Sequence, residues 1–138
     1  MNRADLKQLA QLRLREAKAL LDGGHAPGAY YLAGYAVECG LKACIAKKTA
    51  KYDFPDKQKA IDCYTHDLTK LVNHAELSQD FRTQSMADAK FDAYWAVVKD
   101  WSEADRYDRT ITVKDAADLY KAITANKSGV MRWVRQHW

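Results

Sequence analysis

A carboxylate and an amine lie inside the most apolar stretch of this sequence. Residues 29–48 read AYYLAGYAVECGLKACIAKK, with Glu38 and Lys42 spaced i, i+4. A buried charge costs several kcal/mol unless a group of opposite charge compensates it. Glu38 therefore needs a cationic partner or a position that faces a cleft. Lys42 is one candidate partner on the same helix, and a carboxylate of this kind can also hold a guanidinium group that binds phosphate.

Two tyrosines share the side of this segment that carries Glu38. Tyr31 and Tyr35 are spaced i, i+4, so their hydroxyl groups can line the same cleft. Packing in the core or at a dimer interface is the more common role of tyrosines at this spacing, and both interpretations stay open. The sequence makes Tyr31, Tyr35, Glu38 and Lys42 candidate ligand-binding residues.

Two basic stretches are candidates for contact with a polyanion. Residues 121–138 contain four lysines and arginines and no acidic side chain, with Trp133 and Trp138 interleaved. Such a pattern suits the phosphates and bases of nucleic acid. Cations near helix C-termini are also favoured by the helix dipole, so a solvated helix face is an equal interpretation. A second basic cluster ends the apolar segment: Lys42, Lys47, Lys48 and Lys51.

One arrangement has some of the features of a metal site. Cys63 precedes His66 by three positions and His74 is nearby, but a structural zinc site needs a second pair of ligands at matching spacing. We therefore expect neither a metal nor a cofactor. The odd number of cysteines, with Cys39 and Cys44 inside the apolar segment, indicates free thiols in a reducing, cytoplasmic setting.

The composition predicts a single folded domain over residues 1–138. Apolar residues make up 48% of the chain, and only two prolines and six glycines interrupt it, which favours helices. Glu38 and Lys42 divide the longest apolar run below the length of a membrane span, so we expect no membrane partner. The net charge of +4 permits contact with nucleic acid without requiring it.

Caps and apolar periodicity predict an all-α antiparallel bundle of about five helices. The predicted helices are Arg3 to Asp22 with cap Asn2, about Pro27 to Lys48, Thr65 to about Glu76, Ser78 to Trp101 with a break near Lys90, and a last helix capped by Thr112 with Asp115 in a capping box and a kink at Asn126 to Gly129. Between them, Lys51 to Tyr64 with Pro55 is typical of a polar connection. Glu103 to Ile111 is predicted to be a charged loop.

Three features, in this order, resemble the HEPN domain family of helical bundles. They are the helix sequence AGYAVECGLKACI, the tetrapeptide THDL at positions 65–68, and the loop pattern W-x4-RY at 101–107 before the capped last helix. The resemblance covers about Leu6 to Trp133. It implies a bundle of four or five helices that often acts as a homodimer. Many HEPN domains are metal-independent ribonucleases, including toxins of toxin–antitoxin pairs, and others bind RNA or nucleotides.

The resemblance also implies roles for individual residues. Arg106 matches the arginine of the family's catalytic motif, but Ile, Thr and Val stand at positions 111–113, where the family places a histidine. Without that imidazole, the residues at these positions cannot move the protons of RNA cleavage. The resemblance therefore favours binding of RNA or a nucleotide. From the buried charge we expect Glu38 to orient Arg106, with Tyr107 either stacking on a base or packing as a lid. A purely structural ion pair of Glu38, with Arg106 or with Lys42, is the equal alternative.

A metal-independent endoribonuclease is the alternative function. Arg132 and His137 fit an Arg-x4-His spacing, although residues five apart in a helix point about 140° apart. Arg106 with His66 is the other candidate catalytic pair, but His66 is more simply a first-turn residue that bonds a backbone group or a carboxylate. A third alternative is a non-catalytic partner subunit of a nucleotidyltransferase. An antitoxin is the other protein partner that the resemblance implies.

Overall fold

An almost entirely apolar helix, α2 (Ala26–Ala50), lies at the centre of the fold. The structure is a computed structural model that describes residues 1–50 and 57–138, with the side chains of 50 and 57–59 left out. The described residues form eight α-helices: α1 Arg3–Asp22, α2 Ala26–Ala50, α3 Lys57–Asp62, α4 Leu68–His74, α5 Ser78–Ala87, α6 Ala89–Val98, α7 Val113–Thr124 and α8 Val130–Arg135. They include no strand, so the all-α class is confirmed. The predicted features at Lys51 and Pro55 lie outside the described residues.

The best-predicted helix boundaries are those with local caps. Asn2 accepts a hydrogen bond from the amide of Asp5, whose side chain accepts one from the amide of Asn2, and Gly23 ends α1. The same reciprocal capping box joins Thr112 and Asp115 at the start of α7. Each box satisfies two backbone donors that the first helical turn leaves unpaired. Both predicted helix starts are confirmed.

Two predicted helices are each divided in two, which is the main reason that the structure has eight described helices instead of about five. Asp88 separates α5 from α6, because its side chain accepts hydrogen bonds from the amides of Lys90 and Phe91. The last predicted helix breaks between Thr124 and Val130. There a Cβ on Gly129 would lie 2.5 Å from the carbonyl oxygen of an earlier loop residue, so only glycine fits this sharp turn.

Three further segments differ from the prediction. Asp67, and not Thr65, is the N-cap of α4, since its side chain accepts a hydrogen bond from the amide of Lys70. The short helix α3 lies within the predicted polar connection. The predicted loop begins with a 3-10 turn, Glu103–Tyr107, whose cap Ser102 forms a capping box. This turn carries the candidate site residues Arg106 and Tyr107.

Helix α2 contacts α1, α4, α7, α8 and the 3-10 turn. Its buried residues include Val37, Leu41 and Cys44, and no wide polar face remains on it. Fully burying an aliphatic side chain stabilises a fold by about 1.5 to 3 kcal/mol. Small residues let partners approach closely, and a Cβ on Gly40 would lie 2.9 Å from the side chain of Val134 on α8. None of the described helices is both long and apolar enough to span a membrane.

Asp88 links the start of α6 to the loop before α8. Its carboxylate accepts a 2.8 Å hydrogen bond from the hydroxyl of the buried Ser128. This bond, followed by the bond from the Phe91 amide, lowers the pKa of Asp88 below its usual value. A carboxyl group whose pKa is lowered by folding stabilises the fold above its unfolded pKa. That contribution is lost as the pH falls through the folded pKa.

We therefore expect Asp88→Asn to reduce the acid sensitivity of the fold. The native protein should lose stability as the pH falls below about 4, the usual pKa of an aspartate. The Asp88→Asn variant should be less stable than the native protein at neutral pH, and the difference should shrink in acid. Denaturant unfolding at neutral and acidic pH measures both. A stability difference that does not change with pH would contradict this assignment.

Candidate binding site around Glu38

The carboxylate of Glu38 is buried, with 1% of the residue exposed, and it has two nitrogen partners. The Nζ atom of Lys42 and the Nδ1 atom of His66 each lie 2.8 Å from Oε1. Lys42 comes from the next turn of α2, whereas His66 comes from the segment that leads into α4. The cation predicted from the burial of Glu38 is thus Lys42, on the i+4 spacing, with His66 as a second partner.

The expected direct pair between Glu38 and Arg106 does not form. A guanidinium nitrogen of Arg106 instead lies 3.1 Å from Oε1 of Glu103. The other oxygen of Glu103 lies 3.3 Å from Nε2 of His66. Residues three apart in a 3-10 turn lie on the same side of it, so Glu103 and Arg106 are neighbours. Glu103 lies between His66 and Arg106 and contacts both. We call the following five residues the Glu38 cluster: Glu38, Lys42, His66, Glu103 and Arg106.

The imidazole of His66 bridges the buried and exposed parts of the Glu38 cluster. Both of its ring nitrogens face carboxylate oxygens, those of Glu38 and Glu103. An imidazole donates two N–H bonds only when it is protonated. In that form the charges alternate from Glu38 through His66 and Glu103 to Arg106. The prediction that His66 bonds a carboxylate is confirmed, although His66 precedes the cap of α4 and is not in its first turn.

The exposed end of the Glu38 cluster combines a cation with aromatic rings. The side chain of Arg106 is 43% exposed, and its Cζ lies 4.7 Å from the centroid of the Tyr107 ring. Tyr107 itself is 73% exposed. Contact with the side chains of Tyr107 and then Tyr31 raises the pKa of Arg106. A guanidinium held in this way is a permanent positive charge at the surface.

The predicted tyrosines lie beside the cluster. Tyr31 stacks on Tyr35 on one side and on Trp101 on the other, with ring centroids 6.0 Å apart in each case. Burial raises the pKa of Tyr35 to about 12, and the neighbouring Cys39 and Glu38 add to the effect. Burial also raises the pKa of Cys39 to about 11. Both groups are therefore protonated at neutral pH.

Two buried polar atoms beside the cluster have no hydrogen-bond partner among the described residues. They are Oε2 of Glu38 and Nε1 of Trp101. Trp101 lies so close to α2 that a Cβ on Gly34 would come within 2.3 Å of its ring. A pocket of about 270 Å³ is lined in part by Trp101 and by the cluster residues His66 and Glu103. Unpaired polar atoms at this depth are uncommon, and a binding site is one explanation for them.

The alternative catalytic pair Arg132 and His137 does not come together. His137 Nε2 lies 3.1 Å from Oδ1 of Asp80, and Arg132 donates to the carbonyl of Lys127 at 2.8 Å. The same oxygen of Asp80 accepts a hydrogen bond from the indole N–H of Trp133. His137 follows the end of α8 and serves to hold Asp80. The two side chains point to separate partners, as the helical geometry indicates.

Glu103 is the member of the cluster that was not predicted from the sequence. The signal for it was its i, i+3 spacing to Arg106 within a capped turn, which brings opposite charges together. Other acidic residues surround this turn. After burial, the charges of Asp105 and Asp100 are the next causes that raise the pKa of Tyr30. The exposed end of the cluster therefore has a mixed surface and not a basic one.

In the described part of the chain, Cys63, His66 and His74 are not grouped as metal ligands. Cys63 is a free, partly buried thiol. Burial raises its pKa, and the positive charge of Lys42 only partly offsets that rise. The two ring nitrogens of His66 face the carboxylates of Glu38 and Glu103. Within the described ranges, no group of histidine, cysteine, aspartate and glutamate side chains is arranged to hold a metal ion.

Comparison with known proteins finds no relative of this chain. The chain matches no protein-family model, no curated protein and no solved structure. The resemblance to HEPN domains thus stays a prediction from sequence motifs.

Proposed function

We propose that this protein binds RNA or a nucleotide through the Glu38 cluster, with Arg106 on a phosphate and Tyr107 on a base. The observation that supports this most is the exposed guanidinium of Arg106, fixed by Glu103 and lying over the ring of Tyr107. Guanidinium groups bind phosphate through paired, charge-assisted hydrogen bonds. Exposed aromatic rings stack on bases without sequence preference.

The buried part of the cluster explains why this arginine is ready to bind. The guanidinium of Arg106 has five N–H donors. The contact with Glu103 occupies only some of them, and the remaining donors can bind a phosphate. Immobilising a long side chain on binding costs about 0.5 to 1.5 kcal/mol. Because His66, itself held by Glu38, contacts Glu103, much of this ordering is already complete in the free protein.

The charge around the turn favours a small ligand over a long polyanion at this site. Asp105 and Asp108 flank Arg106 in sequence, and Asp105 and Asp100 both act on Tyr30. Each nearby carboxylate opposes the approach of another phosphate. The Glu38 cluster is therefore suited to a nucleotide or to one nucleotide unit of an RNA strand.

Replacing Arg106 by alanine is expected to weaken nucleotide binding about tenfold or more. Losing a hydrogen bond between charged groups costs about 1.5 to 3 kcal/mol, and 1.4 kcal/mol is a factor of ten. Titration calorimetry with a nucleoside monophosphate and fluorescence anisotropy with a labelled single-stranded RNA measure the affinities. Arg109→Ala is the matched control, because Arg109 lies on the same exposed segment and has no ion-pair partner among the described residues. Absence of binding by the native protein, or equal losses in both variants, would refute the proposal.

One observation favours a ribonuclease as the second candidate. His66 and Arg106 both contact the carboxylate of Glu103, so an imidazole and a guanidinium lie on one small patch. RNA cleavage would form a bond from the 2′-oxygen to phosphorus and break the bond to the 5′-oxygen. A base takes the 2′-proton and an acid protonates the leaving oxygen. His66 cannot act as that base while both its nitrogens are held by carboxylates, which is why we rank binding first.

Incubation with single-stranded RNA in EDTA separates the two candidates. A ribonuclease of this type would cleave RNA without metal, and His66→Gln or Arg106→Ala would abolish the cleavage. No cleavage at micromolar protein would exclude it. Homodimer formation, an antitoxin or nucleotidyltransferase partner and a cytoplasmic location stay predictions.

A further inference from the structure

A second concave surface lies between α1, α7 and α8 and shares no lining residue with the pocket beside Trp101 and His66. One pocket of about 480 Å³ is lined by residues that include Arg15, Lys18, Tyr120 and Arg135. An adjoining pocket of about 280 Å³ is lined in part by Arg132 and again by Arg135. The two pockets share the lining residues Thr124 and Arg135, so they are neighbours on one surface. We call this surface the α1–α7–α8 groove.

The charge of this groove is strongly positive. Its lining includes three arginines and one lysine, and the residues that line the two pockets include no carboxylate. Lys18 is paired with Asp22 at 2.6 Å. Arg15 and Arg135 have no carboxylate within ion-pair distance in the described part of the chain, and Arg132 donates only to a backbone carbonyl. The groove thus holds several cations that protein carboxylates do not neutralise.

Aromatic rings accompany these cations. Tyr120 lines the larger pocket. The Cζ atom of Arg135 lies 5.9 Å from the centroid of the Trp138 ring, and Nζ of Lys7 lies 5.3 Å from the same centroid. Cations beside aromatic rings are the usual chemistry of single-strand recognition, where cations bind phosphates and rings stack on bases.

We infer that the α1–α7–α8 groove binds the phosphate backbone of single-stranded RNA. The choice of RNA as the ligand rests on the proposed function, but the surface and its residues are independent of the Glu38 cluster. An RNA strand that places one nucleotide at Arg106 needs a basic track for its remaining phosphates, and the acidic surroundings of Arg106 do not provide one. The groove does.

The shape of the surface favours a strand over an anionic membrane. Peripheral membrane helices present basic residues beside exposed apolar side chains that enter the bilayer. In this groove the cations line a depression between packed helices, and both aromatic rings are partly buried. A narrow strand can enter such a depression, whereas a lipid surface meets only its rim.

The test is the salt-dependent affinity of a labelled single-stranded RNA oligonucleotide, measured by fluorescence anisotropy on the full chain. The groove variant carries Arg15→Gln with Arg135→Gln. The control variant carries Lys70→Gln with Arg82→Gln, which removes the same charge from exposed positions on α4 and α5. We expect the groove variant to bind tenfold or more weakly. The slope of log affinity against log salt should fall by about 0.7 for each phosphate that the groove variant no longer neutralises. The control variant should bind as the native protein does.

Several results would overturn the inference. They are native affinity in the groove variant, an equal loss in the control variant, no binding of the oligonucleotide by the native protein, or pelleting with anionic vesicles in place of RNA binding. If the groove variant binds normally while Arg106→Ala does not, the groove is wrong and the proposed function stands. If the groove variant loses affinity while Arg106→Ala keeps it, the groove is right and the role of Arg106 is wrong. Circular dichroism of both variants verifies that they are folded.

Discussion

Replacing Lys42 by methionine is expected to lower the free energy of unfolding by about 3 kcal/mol at neutral pH. Methionine keeps the apolar stem of the lysine and removes its charge. The carboxylate of Glu38, with 1% of the residue exposed, would then have His66 as its only partner among the described side chains. Removing one member of a buried pair costs about 3 to 5 kcal/mol because the other charge stays uncompensated. The bond to His66 places this variant at the lower end of that range.

Two comparisons separate this effect from a general loss of charge. Lys47→Met changes an exposed lysine of the same helix, and its effect should stay within about 0.5 kcal/mol. In a Glu38→Gln background no charge is buried, so the Lys42→Met change should cost clearly less than in the native background. Denaturant unfolding of the four proteins gives the coupling energy. An equal cost of Lys42→Met in both backgrounds would show that the two side chains do not interact.

Replacing Gly34 by alanine is expected to destabilise the fold by about 2 kcal/mol. The added Cβ would lie 2.3 Å from three atoms of the Trp101 ring, which is only 3% exposed. Because these atoms are at the root of the indole, the whole ring must move. Overpacking of this kind costs about 1 to 3 kcal/mol or more, and the better helix propensity of alanine returns at most about 1 kcal/mol.

Gly28→Ala is the matched control on the same helix. Its Cβ would meet one atom within 4 Å, the Cδ1 of Leu20 at 3.2 Å, and this atom ends a flexible side chain. We expect that variant to unfold within about 1 kcal/mol of the native protein. Gly34→Ala should also shift tryptophan fluorescence to longer wavelength as Trp101 becomes exposed. Equal stability of the two variants would contradict the close packing of Trp101 on α2.

The sequence predicted those parts of the fold that local interactions determine. The limits of α1 follow from Asn2, Asp5 and Gly23, all within a few residues of the helix ends. The start of α4 was misplaced because Thr65 and Asp67 are both good caps, and only the path of the chain into the core selects between them. The division between α5 and α6 was placed near Lys90, two residues after its actual cause.

The candidate site shows the same limit. The burial of Glu38 and its i+4 partner Lys42 are both apparent in the sequence, because the apolar pattern and the helical spacing are local. The partner from a distant segment could not be predicted in this way. Arg106 was the distant candidate, but the structure brings His66 to Glu38 and pairs Arg106 with Glu103. That outcome depends on how the segment before α4 and the 3-10 turn meet over α2.

Two surfaces of different charge share the proposed binding of nucleic acid. The Glu38 cluster offers one exposed guanidinium with a stacked ring, in mixed surroundings. The α1–α7–α8 groove offers several unneutralised cations and no lining carboxylate. A short ligand should therefore depend on Arg106, and the salt dependence of a longer strand should depend on the groove.

The central claim is that the buried carboxylate of Glu38 positions Arg106 through His66 and Glu103. The most direct measurement is the nucleotide affinity of the native protein, of Glu38→Gln, of Arg106→Ala and of the double variant, by titration calorimetry on folded samples. We predict that Glu38→Gln alone weakens binding several-fold and that it has no further effect once Arg106 is alanine, because it acts through that side chain. Glu38→Gln with native affinity, or two effects that simply add, would contradict it.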